Sequence, residues 1–162
     1  MTTIRLNKAL DNVETTYSEI VHIANDMVAP LFNPINALVT EITEAQSSMP
    51  IETLRGFLLR VQLRAFELTE IKEKSILKAD CAEALRKEKY ALKYNTTDGA
   101  TGIRDNVAFL DTSEEVVVEA LYNLVAGLFK AKLDSLYRLA DTLKSILMSK
   151  MQEAKLTMNA ID

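Results

Sequence analysis

The sequence predicts an all-α fold, and three observations support this prediction. Glycine and proline are scarce, with four and three among 162 residues, so few tight turns can form and the elements between them must be long. Alanine, leucine, glutamate and lysine, which lose little conformational freedom in a helix, dominate the chain. Apolar residues recur every three or four positions, the spacing of one helical face. We expect a long antiparallel helical hairpin with additional N-terminal helices, assembled into a helical oligomer.

Residues 1–48 are predicted to form an N-terminal helical segment of two helices. The first covers about residues 3–29, where an apolar face begins at Leu6 and reaches Ala24. The chain is expected to break at Pro30–Pro34, because the residue before a proline is driven away from the α conformation. Asn33 and Pro34 would then be the N-cap and first position of a second helix that ends near Gln46.

Residues 49–162 are predicted to form the long helical hairpin, with its turn at residues 95–111. After a break at Ser47–Pro50, a helix from Pro50 to about Tyr94 has only Gly56 to weaken it. Its apolar positions follow a four-three spacing typical of packed helices. These positions are Leu54, Leu58, Val61, Ala65 and Leu68.

The polar stretch from Asn95 to Gly102 contains residues that end helices and tolerate positive φ, so it predicts the turn itself. A short element over Ile103–Leu110 is expected next, either a helical turn or a strand-like connector, and we interpret it as loosely helical. Thr112 and Glu115 have capping-box spacing and predict the start of a last helix that ends near Met158. That helix is apolar on more than one stripe, which favours contacts on several sides and therefore homo-oligomerisation.

The sequence offers no convincing catalytic, metal or cofactor site, so the chain is expected not to be an enzyme. His22 is the only histidine and no Gly-x-Ser-x-Gly elbow exists to hold a nucleophile. Cys81 is the only cysteine, which excludes an internal disulfide, and a packing role is expected for it. Glutamates at helical spacing lack the Glu-x-x-His motif of a di-metal bundle. Without an apolar run of 18 residues, a cytoplasmic protein with no membrane contact is expected.

Two basic segments interrupt a chain whose net charge is −4. Residues 60–95 contain nine basic and six acidic side chains, and residues 129–162 contain six and four. In both segments aromatic residues stand among the basic ones, the combination that single-stranded nucleic acid requires for its phosphates and bases. The candidate nucleic-acid-binding residues are Arg86, Lys87, Lys89, Tyr90, Lys93, Tyr94, Lys130 and Lys132.

The stretch from about Leu58 to Lys155 resembles the phage recombination mediators of the UvsY type. The resemblance rests on the helix end Leu85–Tyr94, with its Lys-x-x-x-Lys-Tyr sequence, on the glycine-containing polar turn, and on a long last helix with lysines and aromatics. It implies a ring-like oligomer of helical hairpins that binds single-stranded DNA and assists recombination proteins in a phage-infected host cytoplasm. More broadly, the chain is similar to small phage early helical proteins.

A second hypothesis is a protein-binding adaptor, or an inhibitor of a host defence factor. Residues 96–128 contain one basic and six acidic side chains, and such a surface could face a basic target or imitate nucleic acid. The acidic residues that would carry this function are Asp105, Asp111, Glu114, Glu115 and Glu119.

Overall fold

A computed structural model describes residues 2–45 and 49–159 of the chain, with side chains described at residues 13–45 and 49–157. The described residues form helices and contain no strand, so the all-α prediction is confirmed. The helices are α1 (Thr2–Glu44), α2 (Ile51–Thr96), α3 (Thr101–Asp111) and α4 (Ser113–Asn159).

The break expected at Pro30–Pro34 is wrong, because α1 continues through both prolines. The two prolines are four residues apart and both are exposed. The carbonyl that Pro34 leaves without an N–H donor therefore lies on the solvent side, where water can satisfy it. Burial on the other side of α1 favours continuing the helix. The buried residues that follow the first proline are Ile35, Leu38 and Ile42.

The ends of α2 follow the prediction closely. This helix begins at Ile51, directly after Pro50, and ends at Thr96. Of the expected break, Ser47 and Ser48 lie outside the described residues. Four of the five predicted apolar positions of α2 are buried and Leu58 is half-buried.

The region predicted as a turn at residues 95–111 is mostly helix α3, as the expected short helical element indicated. The chain reverses before it, where Gly99 has a φ of 124°, a conformation that L side chains rarely adopt. Thr112 joins α3 to α4, but it does not form the expected capping box. Its buried hydroxyl donates to the carbonyls of Ala108 and Phe109 in the last turn of α3, at 3.2 and 3.1 Å.

The chain divides into two compact units that cut across the expected boundary at residue 48. Unit 1 contains Met1–Val28 and Lys72–Gly127, and unit 2 contains Ala29–Ile71 and Leu128–Asp162. Each of the long helices α1, α2 and α4 contributes residues to both.

Unit 2 has a core of large apolar side chains from three helices. Glu41 on α1 accepts two hydrogen bonds from the Arg60 guanidinium on α2, at 2.9 and 2.7 Å. The rings of Phe32 on α1 and Phe129 on α4 meet edge to face with centroids 5.6 Å apart. The core residues with the least exposure are Ile35, Ile42, Leu54, Val61, Leu68, Leu136 and Leu143.

Within residues 13–28 and 72–127, whose side chains are described, unit 1 has a core of small side chains. Its buried apolar positions are mostly alanines, which let helices approach closely but remove little apolar area from water. They are Ala24, Ala79, Ala82, Ala108 and Ala126, with Val28 and Val125. Polar pairs between α2, α3 and α4 also join the helices of this unit.

Candidate nucleic-acid interface

Three of the predicted basic residues lie on one face of α2, close to its end. Arg86, Lys89 and Lys93 are separated by three and four residues, which places their side chains on the same side of the helix. We call these three residues the basic face of α2. Lys87 is exposed and lies on a different side, where its ammonium contacts Glu83 one turn earlier, at 2.5 Å. The structure thus brings three of the four basic candidates of α2 together.

Each residue of the basic face has a carboxylate partner in the same unit. The partners occupy consecutive turns at the end of α3 and the start of α4, and we call them the carboxylate row. The pairs are Arg86 Nε with Glu119 Oε2 at 2.9 Å, Lys89 Nζ with Glu115 Oε1 at 2.9 Å, and Lys93 Nζ with Asp111 Oδ1 at 3.6 Å. The basic face and the main part of the predicted acidic surface therefore neutralise each other.

The central pair shows this electrostatic coupling most clearly. The hydrogen bond and charge of Glu115 raise the pKa of Lys89. In turn, the hydrogen bond from Lys89 lowers the pKa of Glu115, as does a bond from the backbone N–H of Glu115 itself. Both groups are thus held in their charged forms at neutral pH.

The two predicted tyrosines also contact α3. Their rings lie nearly parallel, with centroids 6.3 Å apart. The Tyr90 hydroxyl donates to Asp105 Oδ1 at 2.9 Å, and this bond raises the pKa of Tyr90. The Arg104 guanidinium lies over the Tyr94 ring, 4.6 Å from its centroid. The Tyr90 hydroxyl therefore already has a partner of the kind that a phosphate would replace, and the Tyr94 ring has one of the kind that a nucleobase would replace.

The second basic segment lies in unit 2, and its two predicted residues differ in their surroundings. Lys132 is half-buried; its ammonium contacts the Asn36 side chain and lies 5.3 Å from the Phe32 ring centroid. This lysine fastens α4 to α1. Lys130 is exposed and has no side-chain partner among the described residues.

Lys130 belongs to a basic-aromatic face of α4 that the candidate residues included only in part. Tyr137 and Lys144 follow at intervals of seven residues, which is about two helical turns, so the three side chains share one side of α4. The Tyr137 side chain is 52% exposed. Arg138 stands beside them, and neither Arg138 nor Lys144 has a side-chain partner in the described part of the chain.

Two carboxylates, Asp134 and Asp141, stand among these residues on the exposed side of α4. They reduce the positive charge of the face without forming an ion pair within the described residues. The seven-residue spacing of a lysine, a tyrosine and a lysine was the sequence signal for this face. We call Lys130, Tyr137, Arg138 and Lys144 the basic face of α4.

Among the described residues, the other side chains with possible chemistry do not form a site. His22 is exposed on α1, with Nε2 3.7 Å from Asp26. The packing role expected for Cys81 is wrong, since its side chain is exposed on α2, beside a groove that Leu85 and Tyr122 also line. Among the described residues, no cluster of histidine, cysteine or carboxylate side chains has the arrangement of a metal site.

None of the described helices has an apolar stretch of the length and purity that a membrane crossing requires. Comparison with protein-family models, with curated proteins and with solved structures found no match to this chain.

Proposed function

We propose that this chain is a non-enzymatic, homo-oligomeric helical protein that binds single-stranded DNA as an accessory of recombination, using the basic face of α4. The observation that carries the proposal is that this face combines an exposed tyrosine with cations that have no partner in the described part of the subunit. Such cations can bind phosphates without first losing an ion pair, and an exposed ring can stack on a base. The long hairpin expected over residues 49–162 and the recombination role implied by the UvsY-type resemblance belong to this proposal.

The two basic segments are not equivalent in this respect. Phosphate contacts by the basic face of α2 would compete with Asp111, Glu115 and Glu119, which are already paired with it. Lys130 and Lys144 stand near Asp134 and Asp141 but form no ion pair with them in the described part of the chain. Lys130 and Lys144 lie about 21 Å apart along α4, at 1.5 Å per residue. That length suits several nucleotides of an extended strand.

Exposed apolar side chains support association between subunits. On α2, Leu59, Leu63 and Phe66 of unit 2 are exposed, and Phe66 retains 76% of its accessible surface. These residues lie on the opposite side of the helix from the buried Val61 and Leu68. A helix that is apolar on two opposite sides is expected to contact a second partner. In an oligomer, the modest charge of each α4 face would be repeated along one strand and act by multivalency.

The test is the binding of a fluorescent oligothymidylate to the full chain as salt is varied, measured by anisotropy. The K130A/K144A variant should bind more weakly, with a slope of log affinity against log salt that is smaller by roughly 1.4, at 0.7 per lost phosphate contact. Lys74 and Lys78 are exposed lysines on α2, outside this face, and K74A/K78A is the control for net charge. Equal losses in both variants, or no binding by the wild type at low salt, would contradict the proposal.

A protein-binding adaptor or inhibitor is the second candidate, and the exposed Leu59, Leu63 and Phe66 favour it too. The acidic surface expected to bind the partner is a poor candidate, because the carboxylates of the row already form ion pairs within the subunit. An apolar helix face is then the better contact surface. Size-exclusion chromatography with light scattering separates the two candidates: a defined homo-oligomer that a Phe66→Asp substitution dissociates assigns this face to self-association. A wild-type monomer would leave the face to a foreign protein.

A further inference from the structure

We propose that the basic face of α2 is a second polyanion-binding surface, and that the carboxylate row keeps it neutral in the subunit as an intramolecular competitor. The inference concerns a different surface from the basic face of α4 and does not depend on it. The class of ligand is a flexible polyanion, with single-stranded DNA as the probe.

The spacing of the pairs is the first observation behind this proposal. Three cations on successive turns of α2 meet three carboxylates on successive turns of α3 and α4, so each charge is cancelled locally. Beside them, the Tyr90 hydroxyl is bonded to Asp105, and the Tyr94 ring lies under a guanidinium. The carboxylates thus occupy positions where a strand would place phosphates, next to rings on which its bases could stack.

Exposure is the second observation, and it indicates that the carboxylate row opposes a ligand by its charge and not by covering the basic face. The side chains of Arg86, Lys89 and Lys93 retain 31%, 38% and 40% of their accessible surface. A phosphate can therefore approach each cation without displacing α3 or α4. What opposes its approach is the neighbouring carboxylate, by like-charge repulsion and by competition for the same N–H donors.

The strength of the competing interactions is the third step. Ion pairs that are this exposed contribute little to stability one at a time, because water and salt screen them. The carboxylate row is also multivalent, and the fold holds it beside the cations, so a free strand competes poorly with it in the wild type even though each pair is weak. Neutralising the row should consequently convert a silent surface into a binding one.

The experiment neutralises the row while keeping the size of each side chain, in the variant D111N/E115Q/E119Q. At low salt its affinity for the oligothymidylate should rise at least tenfold, and the slope against log salt should steepen by roughly 2, for three phosphate contacts. The matched control is E19Q/D80N/E88Q, which removes the same charge from exposed carboxylates with no partner in the described part of the chain. The control should change affinity by less than threefold.

Two added variants identify the surface. Adding R86Q/K89Q/K93Q to the neutralised variant should abolish its gain in affinity. Adding K130A/K144A should leave that gain unchanged, when it is measured relative to K130A/K144A alone. That second result separates this inference from the function proposed for α4, since either surface can fail alone. Equal gains in the neutralised and control variants would reduce the effect to net charge and overturn the inference.

No gain, in a neutralised variant whose circular dichroism matches that of the wild type, would overturn it as well. If the triple variant loses helix content, the single substitution Glu115→Gln replaces it, with an expected steepening of about 0.7. If a folded E115Q variant shows no change in the salt dependence of binding, the inference is likewise overturned.

Discussion

Pro34 stands in the interior of α1, and replacing it by alanine should stabilise the protein. In a continuous helix, the N–H of residue 34 would donate to the carbonyl of Pro30, one turn earlier. Proline has no N–H and its ring crowds that carbonyl, so the helix continues there at a cost. Pro34 is exposed, so alanine removes few contacts and restores a backbone hydrogen bond.

The magnitude follows from two opposing effects. Proline is about 3 kcal/mol less favourable than alanine inside a helix. Proline also restricts the unfolded chain, and losing that restriction lowers the free energy of unfolding by about 0.4–1 kcal/mol. The net gain in the free energy of unfolding should therefore be about 2 kcal/mol. For a chain of this length, that gain corresponds to a rise in melting temperature of roughly 4–8 °C.

Urea denaturation followed by circular dichroism measures this change, with thermal melting as the second readout. The matched control is Pro50→Ala. Pro50 precedes α2, and its carbonyl accepts a bond from the backbone N–H of Leu54 at 3.1 Å, a bond that alanine would keep. The control should change stability by less than 0.5 kcal/mol, the ordinary range for exposed sites. A loss of stability in P34A would refute the reasoning and restore the helix break that the sequence suggested.

Three further predictions follow from the core, the ion pairs and the exposed apolar face. Leu136→Ala should lower the free energy of unfolding by about 2–5 kcal/mol, whereas Leu156→Ala, at a position 70% exposed, should change it little; urea denaturation checks both. Lys89 lowers the folded-state pKa of Glu115. This pair therefore stabilises the protein above the ordinary glutamate pKa of about 4.3, and the stabilisation is lost as the pH falls below that value. E115Q should consequently flatten the acid limb of a plot of unfolding free energy against pH. Phe66→Asp should reduce the mass in solution measured by light scattering; an unchanged oligomer would exclude this face from the subunit contact.

Much of the secondary structure was predictable, because helix formation depends on local patterns that are visible in the sequence. The ends of α2 and α4 fall close to the expected residues, where a proline, a glycine turn and an acidic helix start mark them. The break at Pro30–Pro34 was wrong for a tertiary reason. The local cost of a proline was outweighed by the burial of the apolar face that continues past it, and local patterns do not report that burial.

The candidate site was less predictable, because its residues were judged one segment at a time. Arg86 and Lys89 were assigned to a binding surface, and Glu115 and Glu119 to a rival one. The predicted turn already implied that these two segments lie side by side. In an antiparallel arrangement, a step of three or four residues back along α2 corresponds to a similar step forward along α4. Basic and acidic residues at matched distances from such a turn should therefore be tested as partners before either is assigned to a ligand.

The same reasoning explains why the basic face of α4 is the stronger candidate for function. The charges of the basic face of α2 match an oppositely charged row in the same unit, so they are already engaged in ion pairs that link α2 to α3 and α4. Lys130 and Lys144 have no such counterpart among the described residues, yet they flank an exposed tyrosine at regular spacing. Cations that the subunit does not use internally remain available for a partner, and the salt dependence of binding by K130A/K144A measures that availability directly.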